Sequence, residues 1–308
     1  MFDPPAPDAL SPTGAARLVR RTLGRAARPL LHRALLRGLR PARLPHDPPL
    51  ERRPCRHGRL KALRLHGARG QRLAAWLALP QGADPAAQVP AVLALHGWGA
   101  NASTLWPVVD TLLSSGLAVL LLDAGNHGDS DAEAFNSLPR FAQDLATGLD
   151  ALRAEPAVDA RRIALLGHSV GAAATLLHAA RHGDVAAVVS LSAFAHPREM
   201  MERWLRAHHL PRRGLGTTIL EHVQAVIGTR FDDIAPLNLV PALRCPLLLV
   251  HGAHDTTVPL ADAHRLHAAC PGSALLVVDG THDLRAALAP HAPRILQFLG
   301  RHLGTAAA

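Results

Sequence analysis

The chain has 308 residues, 48% of them apolar and 19% charged, enough for one large domain or two small ones and too apolar for a disordered or fibrous protein. Residues 1–57 hold 12 Arg against 4 acids, a local +8, while the remaining 21 basic and 20 acidic side chains nearly cancel. The net charge of +9 therefore belongs to an N-terminal arm and excludes a nucleic-acid footprint spread over the whole molecule.

In the arm, Arg17, Arg20, Arg21, Arg25 and Arg28 precede no apolar core, so no secretory or twin-arginine signal is read. Residues 9–46 lack acids and resemble a mitochondrial transit peptide in charge, but they are poor in Ser. Leu18, Val19, Leu23, Leu30, Leu31, Leu35 and Leu39 recur at roughly helical spacing, interrupted by Pro29 and closed by Pro41 and Pro45. Two short basic amphipathic helices are predicted, packed on the body with their arginines solvated. A peripheral membrane or partner contact through the arm is the alternative. Pro45 to Pro54 reads as a linker, so the arm spans 1–57 and the main domain 58–308.

From Arg59 the pattern alternates: Leu63 and Leu65 precede the Gly67–Gly70 turn and Leu73, Ala75 and Leu77 follow it, which predicts a hairpin. Continuous apolar runs at 92–95, 117–122, 163–166, 185–189, 247–250 and 275–278 predict strands buried on both faces. Helical stretches at 104–115, 138–153, 170–182, 260–269 and 284–302 separate them, giving the alternation of an α/β protein with a mostly parallel sheet. Residues about 195–243, rich in Met, Trp, Arg and His, exceed a simple crossover and read as an inserted helical lid. The uncharged run Ile163 to Ala180 is long enough to span a membrane, but Gly167, His168, Ser169 and Gly171 divide it into strand, turn and buried helix.

That turn, Gly167-His168-Ser169-Val170-Gly171, has the G-x-S-x-G pattern of a nucleophile elbow. Small residues flank the Ser because the turn is sharp, and the helix behind it offers N–H groups to a developing anion. A Ser that merely caps the helix is the alternative reading. A Ser hydroxyl needs a base and an acid that orients it. Asp255 follows the strand at 247–250 and His282 follows the last strand, in the order Ser169, Asp255, His282. His254 is the nearest rival base. Asp279 or Asp283 could replace Asp255, although they lie awkwardly close to His282. An oxyanion hole is expected from the N–H groups of Val170 and Trp98, the latter in His96-Gly97-Trp98-Gly99 after the strand at 92–95; Trp98 could instead only pack.

With these motifs the chain resembles the α/β-hydrolase superfamily over roughly residues 58–308. Asp123-Ala124-Gly125-Asn126-His127-Gly128-Asp129-Ser130 is similar to that family's segment after the next strand, with Asn126 departing from its commoner forms. Asp232-Asp233-Ile234-Ala235-Pro236-Leu237 before Cys245-Pro246 resembles a bacterial branch of serine esterases and prolyl-oligopeptidase-like aminopeptidases. Because Trp98 directly follows a single Gly, the oxyanion loop is similar to the GX type. The Arg and Ala bias, with Lys61 the sole lysine and no Tyr, points to a GC-rich and hence bacterial genome.

No metal or nucleotide motif is present, His251 and His254 lack further ligands, and no cofactor is expected. Nucleic acid is not expected as a partner, since Leu10 to His57 contains no Phe, Tyr or Trp to stack on bases. Cys55, Cys245 and Cys270 are odd in number and widely spaced, which points to a reducing, cytoplasmic location. The expected activity is a serine hydrolase that cleaves carboxylic esters of a small acyl substrate through Ser169, His282 and Asp255. A peptidase or amidase acting on short peptides, and a catalytically silent scaffold, are the alternatives. Glu199, Glu202 and Glu221 lie among Arg198, Arg203, Arg206, Arg212 and Arg213, a balance that disfavours a cationic substrate. Phe194, Met200 and Trp204 are candidates for lining an acyl pocket, with simple packing as the alternative.

Overall fold

A computed structural model describes residues 32–210 and 215–305. Contacts divide the chain into two units, Met1–Leu39 and Arg40–Ala308. In the first, residues 32–38 are helical and the Leu39 N–H donates to the Leu35 carbonyl at 2.9 Å. The helical spacing through Leu18, Val19, Leu23, Leu30 and Leu31 lies outside the described residues, as do Arg212 and Arg213.

In the second unit the alternating segments form the predicted hairpin. Strands β1 (Gly58–His66) and β2 (Arg72–Pro80) pair antiparallel, with Leu65 opposite Leu73. The continuous apolar runs become β3 (Val89–Leu95), β4 (Ala118–Leu122), β5 (Val158–His168), β6 (Ala187–Leu191), β7 (Leu247–Gly252) and β8 (Ala274–Val278). The sheet order is β1-β2-β4-β3-β5-β6-β7-β8; β2 is antiparallel to both its neighbours and every later pairing is parallel. Alternate residues of β3 feed two cores. Leu93 and Leu95 join Phe141, Leu145 and Leu176 on one face, and Val92 and Ala94 join Leu112 and Leu299 on the other. The chain thus has the α/β-hydrolase fold.

Strands β4, β6 and β7 are wholly buried, as continuous runs should be. The run at 275–278 differs: β8 is an edge strand and its exposure alternates, leaving Val277 in solvent. Two helices start differently from their predicted spans. Residues 102–108 form a 3-10 helix containing Pro107 before the α-helix Val109–Ser114, because proline has no N–H for the helical ladder. The last helix begins only at Ala292, after the Pro290 turn.

Residues 40–52, grouped with the arm and linker in the sequence, lie on the second unit. Arg43 donates to the Gly128 and Ser130 carbonyls, and the Asn101 amide donates to the Leu44 and Pro45 carbonyls at 2.9 and 3.1 Å. His46 sits against Trp76 and bonds to the buried Asp123 at 2.8 Å, and Leu50 is fully buried. One deeply buried leucine and one buried imidazole are too few to register as an apolar period. Between β6 and β7 lie the helices Pro197–Ala207 and Leu215–Ile227, followed by three short turns of helix ending at Ala242. No described helix is long and apolar enough to cross a membrane.

Candidate active site

Strand β5 ends in the elbow. Ser169 has φ 53° and ψ −117°, a strained conformation for a residue with a Cβ. It is fixed by its N–H on the Leu191 carbonyl at 2.8 Å and by its own carbonyl, which accepts from Ala173 at 3.0 Å. Both flanking glycines are required by space. A Cβ on Gly167 would lie 2.5 Å from the Gly171 carbonyl oxygen, and one on Gly171 would overlap the Leu95 and His96 carbonyls. The helix Val170–His182 can therefore run close against β3, which brings its N-terminus beside the loop after β3.

That loop is held by two neutral imidazoles. His96 Nδ1 donates to the Gly97 carbonyl at 2.7 Å, while its Nε2 accepts from the Ala124 N–H at 3.1 Å. His127 donates from Nδ1 to the Gly125 carbonyl and accepts from the Gly99 N–H at 3.2 Å. Burial, reinforced by His96, pushes the His127 pKa down to about 3, and burial likewise lowers His96. Asp123, fully buried, accepts from Ala102 and Asp129 N–H groups and from His46, anchoring the start of the 3-10 helix. Among the described residues no acceptor engages the N–H of Trp98 or of Val170. The Trp98 ring stacks on Phe141 with centroids 6.3 Å apart and stays partly in solvent. Asn126, which departs from the commoner motif, has φ 65°, a left-handed conformation that Asn tolerates.

Asp255 and His282 come together because two loops nearly touch. A Cβ on Gly252 would overlap the Gly280 carbonyl, and the His254 N–H donates to that same carbonyl at 2.9 Å. His282 Nδ1 donates to Asp255 Oδ2 at 2.7 Å, while Asp255 Oδ1 accepts from the Thr257 and Val258 N–H groups at 2.9 and 2.7 Å. Burial opposes the Asp255 carboxylate, but the bonds from His282 and Val258 and the charges of His282 and His251 outweigh it and hold its pKa below the usual value. The rivals are elsewhere. His254 pairs with Asp279 at 3.0 Å on the surface, and Asp283 pairs with Arg285 at 2.5 Å, which pulls its pKa down to about 2.

A cavity of about 340 Å³ opens beside His282 and His168, with Leu105, Leu112, Leu191 and Ile295 in its apolar wall. Phe194, Met200 and Trp204 are not part of that wall. Phe194 is buried in the core, Met200 packs against it, and Trp204 is exposed beside His208. The Glu199 carboxylate is engaged by Arg265 at 2.8 and 2.9 Å, and Arg203 bonds to the buried Asp262. Among the described residues no group of three His, Cys, Asp or Glu is arranged to hold a metal. The anchoring roles of His46 and His127 are not legible in the sequence, because 20 histidines give neither a distinctive signal.

The serine aminopeptidase S33 family model matches residues 86–226. The chain is 27% identical over 218 residues to the uncharacterized protein YfhR of Salmonella typhimurium, covering 69% of this chain and 71% of that one. It is 26% identical over 258 residues to the pimeloyl-[acyl-carrier protein] methyl ester esterase of Chromobacterium violaceum, covering 71% and 96%. An esterase structure from Pyrococcus furiosus superposes with a TM-score of 0.65 at 20% identity, over 86% of this chain and 98% of that one. The chain therefore shares the α/β-hydrolase fold with these structures, and its middle is similar to the S33 serine aminopeptidase family.

Proposed function

We propose that the protein is a serine hydrolase that cleaves carboxylic esters. The observation that carries this reading is the 2.7 Å bond between His282 Nδ1 and Asp255, in a loop bonded through His168 to the elbow that holds Ser169 at φ 53° at the head of a helix. Ser169 Oγ attacks the acyl carbonyl carbon while His282 takes its proton, and the tetrahedral oxyanion is received by the Trp98 and Val170 N–H groups. Collapse breaks the ester C–O bond, His282 returns the proton to the leaving alcohol, and a water repeats the sequence to release the acid. Asp255 remains ionised, holding the imidazole in the tautomer that leaves Nε2 free to accept.

The apolar cavity beside His282 suits the hydrocarbon part of an ester. An exopeptidase would need a free carboxylate for the substrate amine, and Glu199 and Asp283 are both committed to arginines. The aminopeptidase family model favours the second reading, hydrolysis of short peptides. The three dispersed cysteines support a cytoplasmic location. Fluorophosphonate labelling, with turnover of p-nitrophenyl acetate and butyrate, tests the proposal against Ser169→Ala. Loss of both in the variant supports it, and an unlabelled, folded wild type refutes it. Parallel ester and aminoacyl-amide panels divide the two readings.

A further inference from the structure

The residue before Ser169 has no part in the chemistry just described, yet it is bonded to the loop that supplies the base. His168 Nε2 lies 2.8 Å from the main-chain carbonyl oxygen of His282, and the two rings are 4.9 Å apart between centroids. Because the partner is a carbonyl, Nε2 must carry the proton and donate. Burial, followed by the charge of His282, pushes the His168 pKa down to about 4, so the ring is a neutral donor across the working pH range. Space is kept for it: a Cβ on Gly97 would stand 3.0 Å from His168 Nδ1. The contact spans 114 positions in sequence and joins the elbow directly to the His loop.

Resting on the hydrolase reading, we propose that His168 is a positioning residue that fixes the His282 main chain relative to Ser169. Asp255 orients the His282 ring through Nδ1, but that bond ties the loop to the Asp255 turn and not to the elbow. The His168 bond ties the loop to the element that carries the nucleophile. A displacement of about 1 Å in such a pair costs on the order of 100-fold in rate.

The test exploits side-chain reach. Gln places its amide nitrogen where His168 has Nε2, Asn places its own where His168 has Nδ1, and Leu has no donor. His168→Gln is expected to stay within about threefold of wild-type kcat, while His168→Asn and His168→Leu fall about 30- to 100-fold with KM little changed. Thermal unfolding of each variant identifies any loss that is merely of folded protein. The downfield proton resonance of His282 Nδ1–H reads the same contact without substrate; it should be sharp in wild type and His168→Gln and broadened in His168→Leu. Equal kcat in all three variants, or equal loss in folded Gln and Leu variants, overturns the proposal. If wild type shows no Ser169 labelling, the hydrolase reading fails, and the resonance alone then decides whether His168 fixes the His loop.

Discussion

The edge that carries Ser169, Asp255 and His282 and the helical insertion between β6 and β7 are held by opposite means. At the edge the fixing contacts are main-chain bonds, neutral imidazoles and glycines that leave no room for a Cβ. In the insertion they are ion pairs: Glu199 with Arg265, Arg203 with Asp262, and His196 and Arg230 with Asp232. Short-range packing cannot be stretched without loss, whereas charged side chains reach several ångströms and adapt. The edge is therefore the part in which small changes should do most damage.

Chemistry should break first. Asp255→Asn keeps the shape of the side chain but removes the charge that orients the His282 tautomer, so kcat should fall on the order of 10⁴-fold with the fold intact. Ester turnover and circular dichroism measured together check this, and a variant within tenfold of wild type would remove Asp255 from the mechanism. Gly171→Ala comes next. Its Cβ would overlap two main-chain carbonyls at the end of β3, which cannot yield as a side-chain tip would. A loss of about 3 kcal/mol or more is expected in urea unfolding, since overpacking against backbone exceeds the usual range for added methyl groups.

The same contrast explains what the sequence made legible. Hairpin and buried strands stand out because their periods come from burial, and Ser169, Asp255 and His282 stand out because each follows a strand. The acid and base loops are brought together by Gly252 lying against Gly280, a contact between residues 28 positions apart that no local pattern records. His46 on Asp123 and His168 on the His282 carbonyl are likewise long-range bonds of single side chains. The acyl-pocket candidates Phe194, Met200 and Trp204 rest on apolar type and on their place in the inserted segment. Type does not distinguish a cavity wall from core, and here the cavity beside His282 is formed mostly by residues after β3 and after His282, with Leu166, His168 and Leu191 at the ends of β5 and β6.

Acid should act on the edge through its neutral imidazoles. The His168 pKa in the folded protein is about 4 against 6.5 in the unfolded chain, so the unfolded chain binds the proton first as pH falls. That contribution is intact above about pH 6.5 and is lost as pH falls toward about 4. His168→Gln removes the titrating group, so the stability it loses between pH 7 and pH 5 should be smaller than in wild type by about 2 kcal/mol. Urea midpoints at the two pH values measure this, and identical losses would show that His168 is not held neutral.

The smallest effect belongs to the insertion. Arg265 and Glu199 are each more than a third exposed, so their bidentate pair is screened and their side chains lose rotamer freedom in forming it. Arg265→Ala should change stability by less than about 1 kcal/mol, and that difference should shrink further in high salt. It also leaves Glu199 with only the longer 3.5 Å contact to Arg203, which sharpens the choice of substrate. If the committed state of Glu199 is what excludes a cationic substrate amine, Arg265→Ala should raise turnover of aminoacyl amides relative to esters. An unchanged ratio would mean that the preference is set by the cavity beside His282 and not by charge in the insertion.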